Sequence, residues 1–396
     1  MSELITIDEA RRRVLEAVTA LGDEPVALEA ALGRVLAEDV TSAIDVPPFD
    51  SSGMDGFAVI AGPAGEVEVV GEARAGHPWA GALSAGSAVG ISTGAVLPEG
   101  ADAVVPVERT TAVEGGRIEL PETQPGANVR RAGEDIPLGA VVLRAGARLG
   151  PAELGVAASV GRAELRCAGR PRVALLVTGD ELTEPGAPLA PGGIYGSNAF
   201  ALAAQVESAG AQLVGRTTVP DELESTRAAL AGALDEADVV LVSGGVSVGP
   251  HDHVKPALRE LGVEERFWGV SLRPGKPTWF GTRGDTLAFG LPGNPVSAMV
   301  TFQLFARPAL AALQGAAPEP RRAIATLGEA VARNPVREQA IRVRLLQGEN
   351  GLVARPTTGA QGSHVLTSMV GADALALIAP GDGEAAAGER VEVELL

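Results

Sequence analysis

The sequence predicts a multidomain α/β protein built around a doubly wound, mostly parallel sheet. Three observations carry this. Between residues 171 and 314, apolar extended runs alternate with helical stretches, the pattern of βαβ crossovers. In the same region, glycine-rich turns follow or interrupt the extended runs: Ser243-Gly244-Gly245-Val246-Ser247-Val248-Gly249, Arg273-Pro274-Gly275-Lys276-Pro277 and Gly290-Leu291-Pro292-Gly293-Asn294-Pro295. Open α/β sheets use such turns, at the carboxyl ends of their strands, to offer backbone N–H groups to an anion. On either side the pattern breaks into short extended runs between glycines and prolines, which favours β-rich modules beside the central sheet.

Taken in order, residues 5–22 read as a helix, with Ile5, Ala10, Val14, Ala17, Val18 and Leu21 near one face. Residues 28–39 read as a second short helical patch, ended by Asp45-Val46-Pro47-Pro48-Phe49. Residues 50–139 hold short extended runs (56–60, 67–72, 103–108, 116–120) and read as a small β module. Residues 140–166 are mixed, with 152–160 helix-like. Then come a buried-type strand at 172–177, a helix at 198–209 stopped by Gly210, a strand at 212–219, a helix at 222–236, a strand at 239–242 and a helix at 253–261. Residues 265–270, 278–280 and 287–289 are extended, and 295–313 is a long apolar helix. Residues 315–320 form a linker. Residues 321–396 alternate like short strands and suggest a terminal β-barrel. The breaks fall near residues 45, 140, 171 and 320.

The chain has 396 residues, too many for one ordinary core, and 46% of them are hydrophobic. Its net charge of −18 argues against nucleic acid and against anionic membranes as partners. No segment approaches the roughly 18 apolar residues of a membrane span. Cys167 is the only cysteine, which excludes a disulfide framework or a cysteine metal site and fits a reducing, cytoplasmic setting. Of 32 basic residues only two, Lys255 and Lys276, are lysines, so 30 are arginine. A compact ammonium and a planar guanidinium are not interchangeable, which marks Lys276 as a residue whose shape matters.

Several clusters are candidates for chemistry. Asp55 lies in Asp50-Ser51-Ser52-Gly53-Met54-Asp55-Gly56, which reads either as a metal or polar-ligand site or as an Asp-Gly turn. Thr93 belongs to another hydroxyl-plus-glycine turn, and Arg131 to Asp135 to a charged loop. Thr178-Gly179-Asp180-Glu181 follows the first sheet strand, at the edge where open sheets bind ligands. Ser197 and Asn198 cap the next helix, and that helix start is also suited to a phosphate. The 243–249 turn is the strongest signal; it lacks the Gly-Lys-Ser/Thr ending of a P-loop. Ser243, Gly244, Gly245, Ser247 and Gly249 would close backbone amides on an oxyanion. Asp252 beyond it could hold Mg²⁺ together with ligand phosphates. Pro274, Pro292 and Pro295 stiffen the turns framing the same edge, so Lys276 would be held in place. The four histidines, His77, His251, His253 and His364, show no metal spacing.

Together these segments resemble the molybdopterin molybdenumtransferase family, the MoeA and gephyrin E-domain group. The matching stretches are 51–59, 93–108, 131–136, 177–182, 243–255, 272–277 and 290–297, in the family's order. The resemblance implies an elongated homodimer with four domains per subunit. These would be a helical or mixed linear domain (1–45 and 140–170), an inserted β domain (46–139), an α/β molybdopterin-binding domain (171–314) and a C-terminal β-barrel (321–396). It implies a cytoplasmic enzyme of molybdenum cofactor biosynthesis whose substrates are molybdate and adenylylated molybdopterin, with Mg²⁺-dependent cleavage of the adenylate and release of AMP. Molybdopterin adenylyltransferase and recipient molybdoenzymes would be its partners. By the same resemblance, Asp55, Glu181, Asp252 and Lys276 are catalytic, and Glu181 and Asp252 hold Mg²⁺. Thr93, Asp135, Ser197, Asp221, Arg273 and the glycine turn bind substrate. Asp55, Thr93 and Asp135 would face the partner subunit's cleft, and Arg337 and Ser368 would contact molybdate. Arg273 replaces the first lysine of the family's Lys-Pro-Gly-Lys turn, which keeps the charge and alters its geometry. Two alternatives stand beside this reading: a molybdopterin adenylyltransferase, which would need only residues 171–314, and a non-catalytic scaffold of the gephyrin type.

Overall fold

The computed structural model describes residues 4–246 and 252–396. They form two compact units, one of residues 4–24, 33–37 and 166–396, the other of residues 25–32 and 38–165.

In the first unit the central sheet has six strands. In spatial order they are Gln212–Val219, Arg172–Thr178, Val239–Ser243, Thr286–Leu291, Trp279–Arg283 and Glu264–Trp268. The first four run parallel, Trp279–Arg283 runs against them, and Glu264–Trp268, antiparallel to it, runs with the first four again. Helices Ser197–Ser208, Leu223–Glu236 and Val254–Glu260 lie in the crossovers. The buried strands explain why both faces are covered. Val173, Leu175, Val177, Val239 and Leu241 point to one face and pack with Leu202, Val206 and the helical segment from residue 295. Ala174, Leu176, Val240 and Val242 point to the other and pack with Leu230, Leu234, Ala257 and Leu258. The strand period of two thus divides one apolar run between two cores. The sheet order reverses between Arg172–Thr178 and Val239–Ser243, so the carboxyl ends of these two neighbours open a crevice.

Residues 295–313 form one helical stretch with a π-helical segment at Phe302–Ala306. Pro308 lacks an N–H to donate and crowds the preceding turn, and a wider turn accommodates both. This stretch corrects one expectation. It is long and apolar enough to cross a membrane by length and composition, but most of it is buried in the core of this unit.

Strands Arg322–Leu327, Glu338–Gly348, Gly351–Pro356, Ala374–Ile378 and Arg390–Leu395 close into a five-stranded barrel, since Glu338–Gly348 also pairs with Ala374–Ile378. Leu272–Arg273 adds to it, parallel to Glu338 and Gln339. The chain's first helix, Ile7–Glu16, starts where the Thr6 hydroxyl accepts the Glu9 N–H at 3.1 Å and buries Ile7, Ala10, Arg11 and Val14. It is shorter than the 5–22 expected from periodicity.

In the second unit a six-stranded sheet runs in the order Ala103–Pro106, Gly56–Val59, Ser87–Ile91, Gly65–Ala73, Arg117–Leu120 and Thr111–Val113. Helix Pro151–Ser159 begins where the Glu153 carboxylate accepts the Gly150 N–H at 2.9 Å. The helical patch expected at 28–39 is a single 3-10 turn, Leu28–Ala30. Leu36 instead makes a β-bridge to Cys167, so extended pairing wins over helix there. Cys167 is buried, and burial pushes its thiol pKa up, as expected of an inert small side chain.

Candidate functional site

The crevice at the sheet's reversal point is a cavity of about 680 Å³. Its floor is the end of the two central strands, Val177-Thr178-Gly179 and Ser243-Gly244-Gly245. Gly244 has φ +98°, and a Cβ there would lie 2.7 Å from the Thr178 hydroxyl and 2.9 Å from its carbonyl oxygen. Only glycine lets the two strand ends approach this closely. Two helix starts, at Gly196-Ser197 and Asn294-Pro295, border the same cavity, and neither has a side-chain cap. The first N–H groups of the Ser197 helix are therefore available to an anion, whereas at the second start Pro295 has no N–H and Val296 donates to the Ser363 carbonyl.

The polar side chains differ in role. Ser243 is buried; its hydroxyl accepts the Asn198 amide at 2.9 Å and lies 3.3 Å from the Pro292 carbonyl oxygen, to which it donates. Asn198 also donates to the Gly293 carbonyl at 2.7 Å. These two residues tie the helix start, the strand end and the 292–295 turn together. Asn198 is thus a strut within the helix and not the cap expected of it and Ser197: the N-cap position is Gly196, and no side chain caps that start.

Three carboxylates border the cavity: Glu181, Asp221 and Asp252. The Asp221 N–H donates to Asp180 at 3.1 Å. Burial, and then the charges of Asp180 and Glu181, hold the Asp221 pKa above its usual range, with the Asp180 hydrogen bond and His253 acting the other way. A carboxylate whose folded pKa is raised costs stability while it is charged, and this cost fades as pH falls through that raised value. Asp221→Asn should therefore melt higher than the parent protein at neutral pH. The difference should shrink on acidification; thermal melts between pH 7 and pH 4 check both.

The concentrated negative charge suits a divalent cation, which would offset the repulsion among these carboxylates. Among the described residues no three His, Cys, Asp or Glu side chains enclose a metal position. An open set of carboxylates that leaves room for ligand phosphates and water is what Mg²⁺ prefers.

A second cavity of about 260 Å³ lies between the barrel and the Leu272–Arg273 strand. Arg273, Gln339 and Arg342 border it, with Glu329. Arg342 is fully buried. Its guanidinium donates to the Ser368 hydroxyl at 3.1 Å and to the Ala340 carbonyl at 3.0 Å, and no carboxylate pairs with it among the described residues. Burial pulls its pKa down to about 10. Two chain segments contribute to both cavities. In the 273–277 turn, Arg273 borders the smaller and Pro277 the larger; in the 359–364 loop, Gln361 and Gly362 border the smaller and His364 the larger.

The expected site residues thus separate into groups. Glu181, Ser197, Asp221, Ser243, Gly244, Gly245, Asp252, Pro292 and Pro295 all border the larger cavity. Ser247, Gly249 and His251 lie outside the described residues. Arg273 borders the smaller cavity, and Pro274 is buried in the turn beside it. Lys276 is exposed on that turn. Ser368 is buried and reaches the smaller cavity only through Arg342, and Arg337, half-buried, borders neither. In the second unit the Asp55 carboxylate accepts the Thr93 N–H at 2.6 Å, and this bond holds its pKa below the usual range. Asp135 is exposed, and its N–H donates to Val46. Arg342 and His364 were missed as site residues, because strand alternation alone does not mark a buried arginine or a loop histidine.

Family models for the MoeA N-terminal region (domains I and II), a probable molybdopterin-binding domain and the MoeA C-terminal region (domain IV) match residues 5–161, 174–312 and 325–396. The chain is 38% identical to the molybdopterin molybdenumtransferase of Haemophilus influenzae, covering 99% of this chain and 98% of that one. It is 37% identical to molybdopterin molybdenumtransferase 2 of Mycobacterium tuberculosis, covering 98% of each. The crystal structure of the molybdopterin biosynthesis MoeA protein from Pyrococcus horikoshii superposes over all of both chains with a TM-score of 0.85 at 30% identity.

Proposed function

The chain belongs to the molybdopterin molybdenumtransferase (MoeA) family, transferases of molybdenum cofactor biosynthesis, and we propose that it inserts molybdenum from molybdate into adenylylated molybdopterin with release of AMP. The observation that carries this reading is the pair of cavities to which the same two segments, 273–277 and 359–364, contribute. The larger, with its glycine floor and two helix starts, suits the phosphoanhydride of the pterin substrate. The smaller, with Arg273 and the carboxylate-free Arg342, suits a small dianion such as molybdate. One reaction needs both substrates side by side.

In this reading the Gly245 amide and the helix start at Ser197 hold the phosphates. Lys276, on the turn between the cavities, neutralises charge as the phosphoanhydride opens. Glu181 and Asp252 would hold Mg²⁺, which supplies charge neutralisation at the phosphate oxygens when bound. Asp221 sits beside them and orders the same edge. The pterin's own thiolates bind the metal, so a single cysteine in the protein suffices. A homodimer to which Asp55, Thr93 and Asp135 contribute belongs to the same proposal. So do a cytoplasmic setting, delivery from an adenylyltransferase and hand-over to recipient molybdoenzymes, and the four-part division of the chain.

The purified chain, given adenylylated molybdopterin and Mg²⁺, should release AMP and yield molybdenum-loaded pterin when molybdate is added. Accumulation of adenylylated pterin from molybdopterin and ATP, without molybdate, would instead identify an adenylyltransferase. Inertness in both assays would favour a scaffold.

A further inference from the structure

The larger cavity poses an electrostatic question. Glu181, Asp221 and Asp252 border it, and among the described residues bordering it there is no lysine and no arginine. Its one basic side chain among those residues is His364, which comes from the barrel and not from the α/β sheet. An imidazole can donate from one ring nitrogen when neutral and from both when protonated.

His364 is held from two directions. The Ser363 carbonyl accepts the Val296 N–H at 3.1 Å, which fastens the loop to the helix start at the cavity rim. Behind it, Gln361 accepts the Arg342 N–H at 3.0 Å, and the Gly362 carbonyl lies 3.4 Å from the Arg342 guanidinium. Gly362 also makes room for the imidazole, since a Cβ at this position would come within 2.9 Å of His364 Cε1. The ring is exposed to the cavity and backed by the loop that also walls the arginine-lined cavity.

We infer that His364 meets the phosphate oxygens of the ligand in the larger cavity, so that the barrel supplies a basic side chain to a cavity that no lysine or arginine borders among the described residues. This rests on the reading of that cavity as a site for a nucleotide-capped pterin. It also gives the barrel a part in binding that substrate, beside its part in the smaller cavity.

Adenosine, AMP and ADP titrated calorimetrically into the full chain with Mg²⁺ test this. His364→Ala should weaken AMP and ADP about 10–100-fold, the range for a hydrogen bond to a charged group, and leave adenosine unchanged. His364→Gln, which keeps a donor, should recover part of the loss, and both variants should melt like the parent. Equal weakening of adenosine and AMP, or no weakening at all, would overturn the assignment of His364. If the parent protein bound none of the three, the reading of the cavity would fall, and the role of His364 with it. Parent binding with an indifferent His364→Ala removes the inference alone.

Discussion

Glu394→Ala is expected to cost the larger unit about 3–5 kcal/mol, the range for removing one partner of a buried ion pair. Glu394 is fully buried at the end of the last barrel strand. Both its oxygens accept from Arg11 Nη2 at 3.0 Å, and one also accepts from Arg322 at 3.0 Å. Arg11 is buried on the first helix, where it also donates to the Leu304 carbonyl at 3.3 Å. Deleting the carboxylate would leave that guanidinium with only the exposed Asp8 carboxylate, 3.7 Å from Nη1, as a counter-charge, and it could not turn to water without lifting the helix. Three distant parts of the chain would lose their common tie. Arg322→Ala is the control: its side chain is 38% exposed, so its pair is screened and its loss should stay within about 1 kcal/mol. Glu394→Gln keeps the acceptor oxygen and should fall between the two. Urea denaturation midpoints give the order, and a Glu394→Ala loss no larger than that of Arg322→Ala would show that the pair is not what secures the helix.

That tie was not legible in the sequence, whereas the central sheet was. Residues 171–314 announce themselves because each crossover is local: a strand, a turn and a helix lie consecutively, and periodicity reads each one. The crevice was legible for the same reason, since a buried strand running into Ser243-Gly244-Gly245 fixes where amides emerge. What escaped depends on long-range closure. Leu36 reads as part of a helix until Cys167 offers it a β-bridge. Arg342 reads as a surface residue of an alternating strand until the barrel closes around it and Ser368 accepts its hydrogen bond. His364 belongs to a loop whose place beside the crevice is set by the Val296–Ser363 hydrogen bond, which no local pattern encodes. Lys255 lies 4.6 Å from the centre of the Trp268 ring, and the indole N–H of Trp268 donates to the Val246 carbonyl at 3.1 Å, steadying the floor of the crevice.

Lys276→Ala is expected to lower turnover about 10²–10³-fold, the scale for removing one group that stabilises developing charge. The turn that carries Lys276 is fixed at both ends. Leu272 and Arg273 pair with the barrel, and the Lys276 carbonyl accepts the Val270 N–H at 3.0 Å. Its neighbours reach the two cavities, Arg273 the smaller and Pro277 the larger. The ammonium is exposed, and among the described residues no ion pair holds it. Removing it should therefore leave stability within about 0.5 kcal/mol, as for an ordinary surface substitution. The informative variant is Lys276→Arg. This chain uses arginine at 30 of its 32 basic positions, so a guanidinium here would match its habit if charge alone were needed. A broad planar fork presents its charge with a different shape from a compact ammonium, so under the proposed role it should restore little of the rate. Measuring AMP release and molybdenum insertion under saturating substrates, with melting curves alongside, separates lost chemistry from lost fold. Turnover within threefold of the parent in Lys276→Ala would remove this residue from the reaction, and full rescue by arginine would reduce its role to charge.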